Sequence, residues 1–145
     1  MSVRELIESK GTFVSIIPSH VTVDDVINQL EADEVSAIIV SDDRKNILGI
    51  ISGVDIVRGL KAFGRDVGDK AVHELMTRKV VTCDISEPLS KIYELMDEHQ
   101  IRHIPITNKG ELCGIINILD VIKYRLAEIQ KEAEALKDYV AGRIY

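Results

Sequence analysis

The sequence predicts an α/β protein, α+β in its arrangement, that is made of two copies of one β-α-β-β-α unit and a closing C-terminal helix. The first observation is an internal repeat: residues 14–40 align with 80–106 at an offset of 66, and residues 49–55 align with 114–120 at an offset of 65. The second is composition, because 46% of the 145 residues are apolar and only 4% are aromatic. Such a core of Val, Ile and Leu favours strands. One unit could hardly bury its sheet alone, so we expect the two to pack through their sheets with pseudo-two-fold symmetry.

Each unit opens with a short strand, over residues 14–17 and again over 80–83, and a helix follows each strand. Thr22 and Asp25 form a capping box in the first unit, and Pro88 stands near the helix start in the second. The apolar residues of the two helices recur at helical spacing. They are Val23, Val26, Ile27 and Leu30 in the first helix, and Leu89, Ile92, Leu95 and Met96 in the second.

A hairpin comes next in each unit, and we expect it to pair residues 36–40 with 47–51 and residues 103–106 with 112–116. Pro105 has no N–H group, so its strand should be interrupted or should lie at a sheet edge there. A second helix leaves each hairpin at Asp55 or Asp120.

The last helix runs past the end of the second unit. Apolar residues form a seam along it at steps of 4, 3, 4, 3 and 4, and Gly142 suits the helix end. A lone helix is marginal in water, so the seam must either cap the chain's own core or meet a second subunit. We predict a homodimer. The seam residues are Ile122, Leu126, Ile129, Ala133, Leu136 and Val140.

The two units also have similar lead-in segments, VRELIESK at 3–10 and VHELMTRK at 72–79. We therefore divide the chain into an N-terminal lead-in helix (1–12), a first repeat (13–62), a linker with the lead-in of the second repeat (63–79), a second repeat (80–125) and a C-terminal helical extension (126–145).

Charge and composition argue against several classes of function. The net charge of −6 is unlike that of a protein that binds nucleic-acid backbones. The opening MSVRELIESK lacks the apolar segment of a signal peptide, and no apolar run is long enough to cross a membrane, so we expect a cytoplasmic protein. Cys83 and Cys113 form no CxxC motif and suit small buried residues, and the four histidines lack the spacing of a metal site. No Ser/His/Asp or Cys/His set is readable, so we do not expect an enzyme.

One corner from strand to helix occurs twice, as Ser52-x-x-Asp55 and as Asn117-x-x-Asp120. Both are acceptable capping pairs, in which an acid in the first helical turn follows a cap residue. A carboxylate can also accept hydrogen bonds from both hydroxyls of a ribose, and the free N–H groups of a helix start can bind a phosphate. Capping and ligand binding are compatible, so both interpretations stay open.

Four segments together resemble the CBS (cystathionine-β-synthase) domain family, whose members occur in tandem as Bateman modules: ELMTRKVVT (74–82), RHIPI (102–106), GIISGVD (49–55) and GIINILD (114–120). The resemblance covers roughly residues 3–126, and the tail resembles that of small stand-alone bacterial CBS-pair proteins. It implies a regulatory module that binds an adenine nucleotide, such as AMP, ATP or NAD, in clefts between the two motifs, and that acts on an unknown regulated protein or through its dimer. An alternative is a structural dimerisation module whose ligand sites are vestigial.

The resemblance also implies roles for individual residues. The Asp of each corner would bind ribose and Ser52 would lie near the phosphate, while Asn117 replaces the Ser/Thr of the family pattern. Arg102 and His103 would face the central cleft and meet ligand phosphates. Thr82 is the best polar candidate for contacting the base, which would lie between aliphatic side chains because no aromatic residue is well placed. The full implied set is Ser52, Asp55, Val14, Ser15, Ile16, Asn117, Asp120, Thr82, Arg102, His103, Ile104 and Pro105.

Overall fold

The computed structural model describes residues 1–142 and contains the predicted succession of elements twice. The first half comprises α1 (Val3–Lys10), β1 (Ile16–Ile17), α2 (Val23–Asp33), β2 (Ala37–Val40), β3 (Gly49–Ser52) and α3 (Gly53–Phe63). A 3₁₀ turn (Gly64–Asp69) leads to the second half, which comprises α4 (Val72–Leu75), β4 (Cys83–Asp84), α5 (Leu89–His99), β5 (His103–Asn108), β6 (Glu111–Asn117) and α6 (Ile118–Val140).

The strands form two three-stranded sheets, in the orders β1-β2-β3 and β4-β5-β6. In each sheet the first pair is parallel and the second is an antiparallel hairpin, as in the predicted unit. The mixed α/β fold class is therefore confirmed. The first strand of each unit is shorter than predicted and begins only at Ile16 or Cys83, because the preceding residues make no continuous ladder with the hairpin.

The strand that contains Pro105 is the middle strand of its sheet, but Pro105 itself has no partner on the β4 side, so the predicted edge position holds locally. β5 lies between β4 and β6, and Pro105 is paired with Ile115. The missing N–H of Pro105 faces β4, where it leaves one hydrogen bond of the ladder unmade. At the equivalent position of the first sheet Ile39 donates to the Ser15 carbonyl at 2.9 Å, whereas pairing of β4 with β5 begins one residue after Pro105, at Ile106.

The predicted helix ends are confirmed at both kinds of terminus. Thr22 caps α2 by accepting from the Asp25 N–H at 3.3 Å, and Asp25 accepts from the Thr22 N–H at 3.1 Å. Pro88 is the N-cap of α5. α6 ends at Val140, and Gly142 follows with a positive φ of 74°, the left-handed conformation that glycine adopts without strain.

Each lead-in helix packs against the sheet of the other half of the chain. Val3, Leu6 and Ile7 of α1 belong to the buried cluster built on β4, β5, β6 and α5. Val72 of α4 and the following Met76 belong to the cluster built on β1, β2, β3 and α2. Each core is thus completed by a lead-in segment from the other half of the chain, which we call the exchange of lead-ins. The division of the chain into sequential domains stays a prediction.

Backbone hydrogen bonds hold the exchanged segments in matching positions. Val3 N donates to the Glu87 carbonyl at 3.0 Å, and Val72 N donates to the Val21 carbonyl at 2.8 Å. A second pair repeats the relation: Leu89 N to Met1 O at 3.2 Å, and Val23 N to Lys70 O at 2.9 Å. Equivalent residues thus make equivalent bonds in both directions, which is the expected pseudo-two-fold symmetry.

The sheets also contribute to the contact between repeats. Side chains alternate along β2, so Ile38 and Val40 face the helix-packed core while Ala37 and Ile39 point to the opposite face. That opposite face is buried as well, since Ile39 has no exposed area. Near it, Leu112 N donates to the Lys45 carbonyl at 2.9 Å and joins the two hairpins.

The exchanged packing predicts different effects for two glycines that are close in sequence. A Cβ atom on Gly49 would lie 2.6 Å from Met76 Sδ and 2.9 Å from the Thr77 carbonyl oxygen, whereas a Cβ on Gly53 would meet nothing within 4 Å. We expect Gly49→Ala to lower the free energy of unfolding by about 1–3 kcal/mol, because the segment after α4 must move away. Gly53→Ala, the matched control at the start of α3, should be neutral or stabilising by up to about 1 kcal/mol. Urea unfolding of both variants measures this, and equal effects would contradict the close approach.

Candidate functional site

The two strand-to-helix corners have the capping geometry that the sequence predicts. Ser52 and Asn117 are the N-caps of α3 and α6. Asp55 Oδ2 accepts from Ser52 N at 2.9 Å, and Asp120 Oδ2 accepts from Asn117 N at 2.8 Å. The capping interpretation is therefore confirmed. The remaining contacts of each carboxylate determine whether a ligand can reach its oxygen atoms.

The Asp55 corner is closed by the chain itself. Asp55 is buried, and its Oδ1 atom accepts from Thr77 Oγ1 at 2.8 Å, while its Oδ2 atom accepts from the Ser52 hydroxyl at 3.3 Å. Thr77 is fixed in turn by two backbone bonds to Ile50 at the edge of β3, of 2.8 and 3.0 Å. A ribose that used both oxygens of this carboxylate would compete with the Ser52 and Thr77 hydroxyls and with Arg58, whose Nη1 atom lies 3.9 Å from Asp55 Oδ1.

The Asp120 corner lies beside an open cleft between the repeats. Lys10 Nζ donates to Asp120 Oδ2 at 2.6 Å and to the Ile115 carbonyl at 2.7 Å. The cleft has a volume of about 560 Å³, which falls within the usual range for small-molecule sites. It is lined by Lys10, Gly11, Phe13, Ser15, Glu34, Val35, Ser36, Ala37, His103, Ile115, Asn117 and Leu119.

An aromatic side chain stands in the wall of this cleft, so the prediction that no aromatic residue is well placed is wrong. Phe13 lies between α1 and β1 and is 65% exposed. In the sequence it precedes an apolar strand and is indistinguishable from a core residue. Only the exchange of α1 turns the connecting segment along the cleft and leaves the ring accessible.

His103 joins the two repeats across the cleft. Its Nε2 atom lies 2.7 Å from Ser36 Oγ in a hydrogen bond. Burial lowers the pKa of His103 below its usual 6.5; the charges of Lys10 and Arg102 act in the same direction, and Asp120 opposes them. The imidazole is therefore neutral at neutral pH.

Arg102 does not share the cleft with His103, so the prediction that both face it is wrong for Arg102. The Arg102 side chain lines a different cleft, of about 650 Å³, between α5 and α6, together with Tyr93, Ile122 and Arg125. The reason is local, because successive side chains of an extended segment point to opposite sides.

The other residues implied by the resemblance are dispersed. Ser15 lines the cleft, but its hydroxyl donates to Asp33 at 2.6 Å and accepts from Gln29 at 2.9 Å. Thr82 is exposed ahead of β4. Of the full set, the structure brings Ser15, His103 and Asn117 into one cleft with Asp120 behind Lys10, and it leaves Ser52, Asp55, Val14, Ile16, Thr82, Arg102, Ile104 and Pro105 outside that cleft's lining.

Other chemistry finds little support in the part of the chain that the structure describes. Among residues 1–142 no group of three His, Cys, Asp or Glu side chains could hold a metal ion. Cys83 is buried and Cys113 is half-buried. Burial raises the pKa of Cys83 to about 11, so this thiol stays protonated at neutral pH and is a poor nucleophile.

The neutral state of His103 predicts a pH dependence of stability. Because the pKa is lowered in the folded protein, the unfolded chain binds the proton more readily, and the free energy of unfolding should fall as the pH drops below 6.5. His103→Gln should make this fall shallower between about pH 6.5 and 5, the range in which an unperturbed histidine titrates. His20→Gln is the control at an exposed histidine. Chemical denaturation across this pH range measures the slopes, and equal slopes for His103→Gln and the wild type would contradict the assignment.

Comparison with known proteins places the fold in a family. The sequence pattern of the CBS domain matches residues 3–62 and 72–127. The crystal structure of a CBS-domain containing protein from Agrobacterium tumefaciens superposes with a TM-score of 0.82 at 30% identity, over 86% of this chain and 99% of that one.

Two curated relatives are longer than this chain. The mitochondrial CBS domain-containing protein CBSX3 of Arabidopsis thaliana is 27% identical over 125 residues, which are 83% of this chain and 61% of the relative. The inosine-5'-monophosphate dehydrogenase of Halobacterium salinarum is 32% identical over 122 residues, which are 83% of this chain and 23% of that enzyme. The chain thus spans less than two thirds of either relative.

Among the helices within residues 1–142, none is long and apolar enough to cross a membrane.

Stand-alone CBS-domain proteins are typically non-catalytic. With two matched segments, two exchanged cores and a cleft between them, the protein belongs to the CBS domain family as a tandem pair of CBS domains, a module that is generally regulatory and ligand-binding.

Proposed function

We propose that this protein is a regulatory module that binds an adenine nucleotide, such as AMP, ATP or NAD, in the cleft beside Asp120. The observation that carries the proposal is a cleft lined by the Lys10 ammonium group, the exposed Phe13 ring and Asn117 at the start of α6, with the Asp120 carboxylate bonded to Lys10 behind this lining. CBS domains commonly bind adenine nucleotides, so these groups have a ready interpretation.

Each part of a nucleotide has a chemical counterpart in the cleft. The Asp120 carboxylate can accept from the two ribose hydroxyls, and hydrogen bonds to a charged group contribute about 1.5–3 kcal/mol each. The start of α6 adds the positive end of a helix dipole near Asn117. Phe13 offers an apolar ring face on which a base could stack, between the aliphatic residues Val35 and Ile115.

The geometry favours Asp120 over Asp55 as the ribose acceptor. The Asp120 side chain is 17% exposed and its added partner is a flexible lysine, whereas the Asp55 side chain is 8% exposed and hydrogen-bonds to the fixed Thr77. Binding to both oxygens of Asp120 therefore requires a lysine side chain to rotate, whereas binding at Asp55 requires a more deeply buried carboxylate to lose its bond from Thr77 Oγ1. A second site at Ser52 and Asp55 stays a prediction.

The test is calorimetric titration of AMP, ATP and NAD into the wild type and two matched variants. Asp120→Asn keeps an acceptor for capping but removes the charge, and we expect it to weaken binding at least about tenfold, or about 1.4 kcal/mol. Asp55→Asn should change affinity less than about threefold, because the proposed ribose makes no hydrogen bond to Asp55. The reverse ranking would move the ribose to Asp55. Failure of the wild type to bind any of the three would favour the alternative, a structural dimerisation module with vestigial sites.

We also propose that the module is a homodimer that pairs through the seam on α6. No residue of α6 is fully buried, and the face toward its own repeat carries the half-buried Val121, Tyr124 and Glu128. At 100° per residue the seam lies on a different side of the helix. Its members are exposed: Ile122, Leu126, Ile129, Leu136 and Val140. The tail thus does not fold back onto its own core, and CBS domains often dimerise.

A double substitution tests the homodimer. Ile129→Asp with Leu136→Asp should shift the protein from dimer to monomer, because two buried charges per chain would replace apolar contacts. The control, Ala127→Asp with Lys131→Asp, adds two acids on the opposite side of α6 and should leave the mass unchanged. Light scattering gives the masses, and circular dichroism verifies the fold. A wild-type mass equal to that of one chain, or a seam variant that remains dimeric, would contradict the proposed homodimer.

A further inference from the structure

Lys10 bonds to the Oδ2 atom of Asp120, the oxygen that also accepts from Asn117 N, so a ribose that binds both carboxylate oxygens would compete with it. It is the last residue of α1, and its side chain reaches the corner of the second repeat, where it bonds to Asp120 at 2.6 Å and to the Ile115 carbonyl at 2.7 Å. An ammonium group has three N–H donors, so these two bonds leave one for a further acceptor. A ligand that hydrogen-bonds to both oxygens of the Asp120 carboxylate must therefore displace this lysine from Oδ2.

Lys10 also supplies the permanent positive charge of the cleft. The basic residues in its lining are Lys10 and His103, and Glu34 is the acidic one. His103 is neutral at neutral pH because burial lowers its pKa. Arg102, the cation that the sequence points to, lines the cleft between α5 and α6 instead.

We propose that Lys10 is the residue by which the cleft distinguishes a phosphorylated nucleotide from a nucleoside, through an exchange of partners. The ribose hydroxyls take over the Asp120 carboxylate, and the Lys10 ammonium turns to the phosphate. The lysine side chain has four flexible carbons and can do this while α1 stays in place. This inference rests on the proposed nucleotide site and names the residue that sets its preference.

The charge balance explains why a nucleoside should bind poorly. In the free protein the ammonium and the carboxylate compensate each other, with side chains that are only 22% and 17% exposed. A nucleoside would separate this pair and offer the ammonium no anion in return. A nucleotide brings a phosphate, which restores a charge-assisted hydrogen bond to Lys10.

The other corner lacks this device, although the lead-in segments are similar. Lys79 is the counterpart of Lys10 in the alignment of VHELMTRK with VRELIESK. However, α4 ends at Leu75 and the chain continues extended, so that Thr77 meets Asp55. The Thr77 hydroxyl makes the short bond to Asp55, at 2.8 Å, and Arg58 of α3 lies farther away, at 3.9 Å. Phosphate discrimination through a lead-in lysine is thus built at one corner of the chain.

The experiment is calorimetric titration of AMP and adenosine into the wild type, Lys10→Met, Lys10→Arg and Lys79→Met. We expect the wild type to prefer AMP at least tenfold. Lys10→Met should weaken AMP binding about ten- to a hundredfold and leave adenosine unchanged or bound more tightly, because the carboxylate is freed. Lys10→Arg should keep part of the preference for AMP. Lys79→Met removes the same charge elsewhere and should change neither affinity more than about threefold.

Each other result overturns a different statement. A wild type that binds AMP and adenosine equally, or a Lys10→Met variant that loses both equally, would show that Lys10 is structural while nucleotide binding stands. If Lys79→Met weakened AMP binding as much as Lys10→Met does, the loss of affinity would be due to the overall charge of the protein and not to Lys10. A wild type that binds none of AMP, ATP or NAD would remove the proposed function and this inference together. The wild-type comparison needs no variant, and thermal unfolding confirms that each variant is folded.

Discussion

The fold depends on one constraint, the exchange of lead-in segments between the two repeats. The sheet of each repeat is covered by an apolar segment that the chain supplies from the other side of the molecule: Val3, Leu6 and Ile7 for the second sheet, Val72 and Met76 for the first. The bonds from Val3 N to Glu87 O and from Val72 N to Val21 O fix both segments. Neither core is complete without the other half, so the two repeats form one unit and the cleft between them is held in shape.

A departure from symmetry within this exchange makes the two corners different. Both lead-ins begin alike, but α1 remains helical through Lys10, whereas α4 ends at Leu75 and the chain becomes extended. At one pair of equivalent positions the helix former Glu8 continues α1, while the β-branched Thr77 suits the edge of β3, to which it bonds. The result is a buried corner at Asp55, bonded to a threonine hydroxyl, and a less buried corner at Asp120, bonded to a lysine ammonium group.

The electrostatics of the cleft are local and differ from those of the whole chain. The net charge is −6, yet the cleft is lined by the Lys10 ammonium group, the Glu34 carboxylate and a neutral His103, with Asp120 bonded to Lys10. An acidic protein can therefore present a site for a small anion. The exposed seam of α6 lies outside this cleft, so the proposed self-association and the proposed nucleotide binding use separate surfaces.

The sequence by itself determined the repeat, the order of the elements, the capping of both corners and the apolar seam of α6, because these follow from local spacing and hydrogen bonds within a few residues. The tertiary structure alone decided which lead-in covers which sheet, since two similar segments with equal apolar patterns can satisfy either core. The same long-range choice brought Lys10 and Phe13 into the cleft, although neither carries a motif. It also placed Pro105 in a central strand, because its missing donor falls where the neighbouring strand has not begun. Arg102 and His103 are adjacent in sequence but line different clefts, since the extended backbone at the start of β5 sends them to opposite sides.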